Sequence, residues 1–318
     1  MPLYPKIENP TTYSIKVDTT HQLYVEECGN PDGIPVIFLH GGPGSGCNPD
    51  HRRYFNPKLY RIILFDQRGC GRSTPHGCLE KNTTHHLIDD IERIRQELKI
   101  DQWLIFAGSW GVTLALLYAQ ANSDKVTGLV LRGAFLASKR DLNWFFNDDG
   151  VARLYPELWE IFSTSLPKLK PDESLLQSLP SNAKLNKKAA KAWSDWTDTI
   201  VTWTLPTQSN PAIDNDPKKE ITDKQLRSIR LEVHYAVNNY FLQEEHIINN
   251  MHLIKHIPTH IIHGRKDITC PVESSWRLHK EFTSARLKIL PDAGHLANEP
   301  DMIEALVKAT NTIIKEVY

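Results

Sequence analysis

Apolar positions in this chain fall into two patterns, short unbroken runs and longer stripes at helical spacing. Unbroken runs occur at PVIFLH (35–40), YRIILF (60–65), WLIFA (103–107), VTGLVLRG (126–133) and PTHIIHG (258–264). A strand covered on one face alternates apolar with polar residues, so continuous runs predict strands covered on both faces, as in a parallel sheet. Between them, residues 84–99 place Leu87, Ile91, Ile94 and Leu98 at helical spacing, and residues 111–120 are almost wholly apolar. Both stretches predict helices. Residues 285–290 predict a further strand, with helices at 272–282 and 301–317 on either side. The first segment differs, because YSIKV and QLYVEE alternate loosely around Asp18-Thr19-Thr20-His21, which predicts an antiparallel hairpin. The β-α-β order predicts an α/β fold with a doubly wound, mostly parallel central sheet.

That order is interrupted between about 135 and 250. Aromatic-rich helical patterns fill the gap, among them DLNWFFNDDGVARLYPELWEIF (141–162) and KAAKAWSDWTDTIVTWTL (188–205). Residues 222–242 predict one long helix, with Leu226, Ile229, Val233 and Val237 on a single stripe and Leu231 off it. We therefore expect a core in two parts, 1–134 and 251–318, with a helical cap at 135–250 inserted at the rim of the sheet.

At 318 residues the chain is long enough for such a core and its insertion. Charge is nearly balanced, at a formal −1, which speaks against nucleic acid or an anionic membrane as partner. No apolar run reaches the length of a membrane span, and the N-terminal MPLYPKIENP lacks the basic-then-apolar pattern of a secretory signal. The five cysteines are scattered without a CxxC pair, so a reducing cytoplasm is the expected setting. Neither HExxH nor a cysteine-histidine cluster occurs, and no GxGxxG or Gly-Lys-Ser/Thr follows the glycines, so no metal or nucleotide cofactor is expected. The sequence does not specify an oligomeric state.

The chemistry centres on Ala107-Gly108-Ser109-Trp110-Gly111, where a buried strand turns at once into an apolar helix. This is G-x-S-x-G with alanine at the first glycine, the pattern that lifts a serine nucleophile above the strand ends on a strained turn. A serine needs a base and an orienting acid, and in this architecture they follow in chain order from the ends of later strands. Asp267 in HGRKD and His295 in PDAGH stand in those places, with Asp292 as a nearby rival acid. The oxyanion needs two N–H donors. The amide of Trp110 is one, and HGGPG (40–44) offers the other, Gly42 first and Gly41 second. Arg68 is expected to tie loops together, and His40, His51, His263, His85 and His86 to be structural or solvated.

Taken together, FLHGGPGSG (38–46), FDQRGCGRSTPHGCLEKNTTHHLIDDIERIRQEL (65–98), GSWGVTLALLYAQ (108–120), LVLRGAFL (129–136), AWSDW (192–196), HGRKDITCP (263–271) and PDAGH (291–295) resemble the proline iminopeptidases, serine aminopeptidases of the α/β-hydrolase superfamily. The resemblance implies an α/β-hydrolase fold with a helical lid. It assigns Ser109 as nucleophile, Asp267 as acid and His295 as base. It also implies release of an N-terminal proline from a peptide, in the cytoplasm and without metal or cofactor.

An enzyme of that kind must recognise a free secondary amine, and lid carboxylates are the natural means. The resemblance gives Glu232 as one of them. Its second glutamate falls where this chain has Thr197, with Asp195 and Asp198 as neighbours. Phe135, Trp144, Phe145, Tyr155 and Trp196 are candidates for the walls of a proline-sized pocket, or else for the core of the lid. Two other readings remain open at this stage. One is an esterase or amidase without N-terminal selectivity, which Thr197 favours, and the other is a silent binding protein on the same fold.

Overall fold

The computed structural model describes residues 1–166, 175–178, 185–202 and 220–317. Positions 203–205 of the expected lid helix lie outside them. Eight strands form one sheet: β1 (Thr11–Lys16), β2 (Gln22–Gly29), β3 (Ile34–Leu39), β4 (Tyr60–Phe65), β5 (Trp103–Gly108), β6 (Val126–Arg132), β7 (Thr259–Gly264) and β8 (Arg286–Leu290). Their spatial order is β1-β2-β4-β3-β5-β6-β7-β8. The hairpin of β1 and β2 closes on Asp18, whose Oδ1 accepts the N–H groups of Thr20 and His21 at 2.7 and 2.6 Å. This hairpin pairs antiparallel with β4, and every pairing from β4 to β8 is parallel. The sheet therefore has one antiparallel edge and a parallel body.

Both faces of the body are covered, as the unbroken apolar runs require. Side chains alternate across a strand, so Ile37, Leu39, Ile105 and Ala107 enter one core, while Val36, Phe38, Leu104 and Phe106 enter the other. The first core is closed by α1 (Thr84–Glu97) and α2 (Trp110–Ala121), and every residue of α2 from Trp110 to Ala119 is buried. That total burial explains why its sequence carries no polar stripe.

Six helices separate β6 from β7: α3 (Lys139–Phe146), α4 (Pro156–Ser165), α5 (Leu175–Ser178), α6 (Lys187–Thr202), α7 (Asp223–Val237) and α8 (His246–Asn249), among the described residues. Two more, α9 (Val272–Glu281) and α10 (Pro300–Val317), flank β8 in sequence. The last supplies much of the second core through Met302, Leu306 and Ile313. The fold is thus that of a mostly parallel α/β sheet with a helical lid inserted between two neighbouring strands.

Two details depart from the sequence expectations. The helix predicted over 222–242 stops at Val237, because Asn239, Tyr240 and Phe241 all take left-handed φ values of 48–56°. The Asn238-Asn239 pair was the available stop signal, and the break turns Tyr240 toward the site described below. Leu231, off the apolar stripe, is nevertheless buried: α7 packs that side against the loop at Gly44, where an added Cβ would lie 3.6 Å from Leu231 Cβ.

Candidate active site

Ser109 is the single residue between the end of β5 and the start of α2, with φ 56° and ψ −125°. Few non-glycine residues adopt this conformation. The turn is pinned by the Ser109 N–H, which donates to the Arg132 carbonyl at 2.9 Å. Close packing shows which small residues the turn requires. A Cβ on Gly111 would sit 2.2 Å from the Leu39 carbonyl oxygen, and one on Gly108 would sit 2.4 Å from the Arg132 guanidinium. Ala107 is an ordinary residue of β5, fully buried and in register with Leu39 and Leu131. The missing first glycine therefore costs this turn nothing visible, since its crowded positions are 108 and 111.

Asp267 and His295 come from the loops that follow β7 and β8, at the same carboxyl edge of the sheet as Ser109. His295 Nε2 lies 3.1 Å from Ser109 Oγ, and His295 Nδ1 lies 2.7 Å from Asp267 Oδ2. The other carboxylate oxygen of Asp267 accepts the N–H groups of Thr269 and Cys270 at 3.0 and 2.9 Å. Burial by itself would raise the Asp267 carboxyl. His295, His263 and the Cys270 amide outweigh it and hold the group below its ordinary value, so it stays ionised. The rival Asp292 is exposed and paired with Lys266 at 2.8 Å, outside this chain of contacts.

The loop at 40–44 lies against the serine. A Cβ on Gly41 would be 3.3 Å from Ser109 Cβ, and Gly42 takes φ 111° on the wall of the adjoining cavity. One side chain ties this loop to the elbow. Gln67 accepts from Trp110 Nε1 at 3.1 Å and donates to the His40 carbonyl at 2.9 Å, all within the buried core. Arg68 has the role expected of it, with Nε and Nη2 donating as a pair to Asp90 at 2.6 and 2.7 Å and Nη1 donating to Asp18 at 2.6 Å.

A cavity of about 470 Å³ opens over Ser109 and His295. Of the pocket residues expected from sequence, Phe135, Phe145 and Glu232 line it. Trp144, Tyr155 and Trp196 do not, which corrects the expectation for each. Trp144 Nε1 donates to the Ile268 carbonyl at 2.8 Å, fastening the lid to the loop that carries Asp267. Trp196 is almost fully buried, stacked on Phe162 at 5.5 Å with its Nε1 on the Phe145 carbonyl. Residues that sequence reasoning missed take their places: Trp193, Tyr240, Arg132 and His51 line the cavity. For Trp193 a signal existed, since it stands one helical turn before Thr197 on the same face of α6.

Three carboxylate residues of the lid line the cavity: Glu232, Asp198 and Asp141, the last with its two oxygens accepting the Ser138 and Ser274 hydroxyls, each at 2.8 Å. Glu232 on α7 accepts from Trp193 Nε1 at 2.8 Å. Burial, reinforced by repulsion from Asp198, pushes it up to about 7 against that hydrogen bond. Asp198 on α6 is open to the cavity, holds the Ser194 hydroxyl at 2.9 Å, and is likewise raised, mainly by burial. Asp195 is elsewhere, paired with Lys191 at 2.7 Å. Thr197 lines the cavity too, but its hydroxyl is turned back on the Ser194 carbonyl at 3.2 Å.

Serine, aspartate and histidine in this order on these strand ends, with a lid over them, define a serine hydrolase of the α/β-hydrolase class, and residues 34–301 match the alpha/beta hydrolase fold family. The chain is 46% identical to a proline iminopeptidase of Arabidopsis thaliana over 96% of its own length and 80% of that protein's. It is 44% identical to a proline iminopeptidase of Xanthomonas citri over 97% and 98% of the two lengths. Among solved structures, a proline iminopeptidase-related protein from Thermus thermophilus superposes with a TM-score of 0.62 at 20% identity, covering 97% of this chain and 98% of that one. The chain belongs to the proline iminopeptidase family. Among the described residues, no helix is long and apolar enough to cross a membrane.

Proposed function

We propose that this enzyme releases an N-terminal proline from peptides through a prolyl-enzyme, with Ser109 as nucleophile, His295 as base and Asp267 as the acid that orients it. The observation that supports this most is the unbroken contact from Asp267 through His295 to Ser109 at the floor of a cavity to which the lid, among the described residues, contributes the carboxylates of Glu232, Asp198 and Asp141 and no cation. Phe135, Phe145, Trp193 and Tyr240 wall a space for the pyrrolidine ring. Glu232 and Asp198 face its ammonium, and a carboxylate held near neutrality by burial becomes charged once that cation is beside it. In this reading Asp198 takes the role that the second lid glutamate has in the resembling enzymes, from one position further along the helix.

His295 takes the Ser109 proton as Oγ attacks the prolyl carbonyl. The amides of Trp110 and of Gly42 or Gly41 receive the oxyanion, at the N-terminus of α2 where its dipole favours negative charge. The proton passes from His295 to the departing amine, and water then enters by the same base and frees proline. We assign the cap to 135–250 and place the enzyme in the cytoplasm, where all five cysteines, which are free thiols, remain reduced.

Proline amide and N-acetylproline amide separate this reading from that of an unselective esterase or amidase. The free amide should be the far better substrate, and comparable turnover of both would overturn the amine site. Glu232→Gln should lower kcat/KM for the free amide about 10–100-fold, the worth of a charge-assisted hydrogen bond, and leave the blocked compound nearly unchanged. The same substitution has a second consequence. Because the folded protein raises Glu232 from 4.5 to about 7, stability held by the protonated form is complete below 4.5 and is lost as pH rises through 7. In the absence of substrate, Glu232→Gln should therefore be more stable than the parent at pH 8, by on the order of 2–3 kcal/mol, with the gap closing by pH 4. Thermal melts across that range measure it. A parent that is equally stable at both ends relative to the variant contradicts the assignment.

A further inference from the structure

The cavity does not end at the serine. Its lid arm carries the aromatic walls and the carboxylates, but it continues across the strand ends to residues of the opposite core, Phe38, Tyr54, Phe106 and Ala297. The alternation within two strands produces this: Leu39 and Ala107 point to the lid side, and their neighbours Phe38 and Phe106 to the other. With the prolyl group and its ammonium beneath the lid, the amine that leaves has this second arm to occupy.

The second arm has a definite chemical character. Phe38 stacks on Phe106 at 5.3 Å and 19°, Tyr54 on Phe106 at 5.4 Å and 25°, and His51 on Phe38 at 4.3 Å and 20°. The Tyr54 hydroxyl is already committed to the Ala297 carbonyl at 2.8 Å. His51 is held by Asn48, which contacts both ring nitrogens, at 3.2 Å from its backbone N–H and 3.0 Å from its side chain. Burial above all, with the positive charge of Arg132 contributing, pushes His51 down to about 4, so its ring is neutral at pH 7. The short helix that carries it, Pro49–Tyr54, is anchored by buried Arg52 on Glu26 at 2.7 and 2.9 Å. These rings form a neutral, preorganised aromatic shelf that takes no part in the acyl-transfer steps.

We infer that this shelf, with His51 at its edge, is the leaving-group subsite, and that it selects peptides whose residue after the N-terminal proline has an aromatic side chain. The ring of that residue stacks in the arm bounded by His51 and Tyr54 as the scissile carbonyl reaches Ser109. The inference rests on the prolyl group lying beneath the lid.

Pro-Phe-NH2 and Pro-Gly-NH2 test it, because both give the same prolyl-enzyme and deacylation is common to them. A difference in kcat/KM between them therefore reports the leaving group alone. The parent enzyme should favour the phenylalanine compound about tenfold, the scale of an aromatic pairing. In His51→Ala that ratio should fall toward unity, and His51→Phe should restore it. A parent ratio within about twofold, or a ratio that His51→Ala leaves intact, overturns the subsite. If the alanine variant does not fold, inhibition of the parent by Phe-NH2 against Gly-NH2 decides the matter, and equal inhibition overturns it. Failure of the parent to turn over either dipeptide amide would instead strike the proline reading, with the inhibition comparison still judging the shelf.

Discussion

Replacing Ser109 with alanine should lower kcat/KM for a proline amide by about a million-fold, the loss seen when a serine nucleophile is removed from an assembled triad. The remaining oxyanion donors and the binding pocket keep a residual rate above that of water. Folding should not suffer, since Ser109 is half-buried and its hydroxyl is held by His295, a partner from the reaction itself. The φ of 56° and ψ of −125° add a second expectation. Alanine keeps the unfavourable conformation and glycine relieves it, so Ser109→Gly should be the more stable of the two inactive variants by about 1 kcal/mol. Steady-state assays and denaturant titrations read the two effects separately. Activity in Ser109→Ala above one part in a hundred would remove Ser109 from the mechanism.

Most of the architecture was legible in the sequence because burial on both faces of a parallel sheet leaves no room for polar positions. The runs at 35–40, 60–65, 103–107 and 258–264 could be read as strands for that reason, and β3, β4, β5 and β7 occupy them. The antiparallel pairing of β2 with β4 was not legible, since a strand's apolar pattern says which faces are covered and nothing about the direction of its neighbour. The helix end at Val237 was missed for a similar reason. Apolar spacing continues through Tyr240 and Phe241, and periodicity does not register the left-handed turn that the Asn238-Asn239 pair permits.

The three side chains proposed as catalytic stood out because chemistry prescribes their types and the topology prescribes their order along the chain. Pocket walls carry no such prescription. An aromatic residue on a lid helix packs a core as readily as it lines a cavity, and residues 193 and 196, on one helix, divide between the two roles: Trp193 faces the cavity and Trp196 the lid core. His51 was read as structural or solvated because nothing in HRRYF says that its ring lies on Phe38, from another part of the chain. Asp198 could be told from Asp195 only once Lys191 was seen to hold the latter.

Asp267→Asn should lower kcat about ten-thousand-fold with little change in KM, and the hydrogen bonds around Asp267 show why neither orientation of the amide works. One carboxylate oxygen faces His295 Nδ1 at 2.7 Å, while the other accepts two backbone N–H groups, from Thr269 and Cys270. If the asparagine oxygen stays on those two N–H groups, its NH2 faces Nδ1. The imidazole must then accept at Nδ1 and carry its proton on Nε2, where it cannot take the proton of Ser109, 3.1 Å away. If the amide turns over, the correct tautomer is kept, but NH2 is set against two N–H donors in a buried site, at a cost of about 1–3 kcal/mol for each unsatisfied group. Either way the negative charge that steadies the imidazolium in the transition state is gone. Single-turnover acylation by an activated proline ester measures this step directly, and burial of Asp267 makes rescue by bulk solvent ineffective. A variant that acylates within tenfold of the parent would show that another group orients His295; the candidate is His263, whose Nε2 lies 3.4 Å from the same carboxylate oxygen.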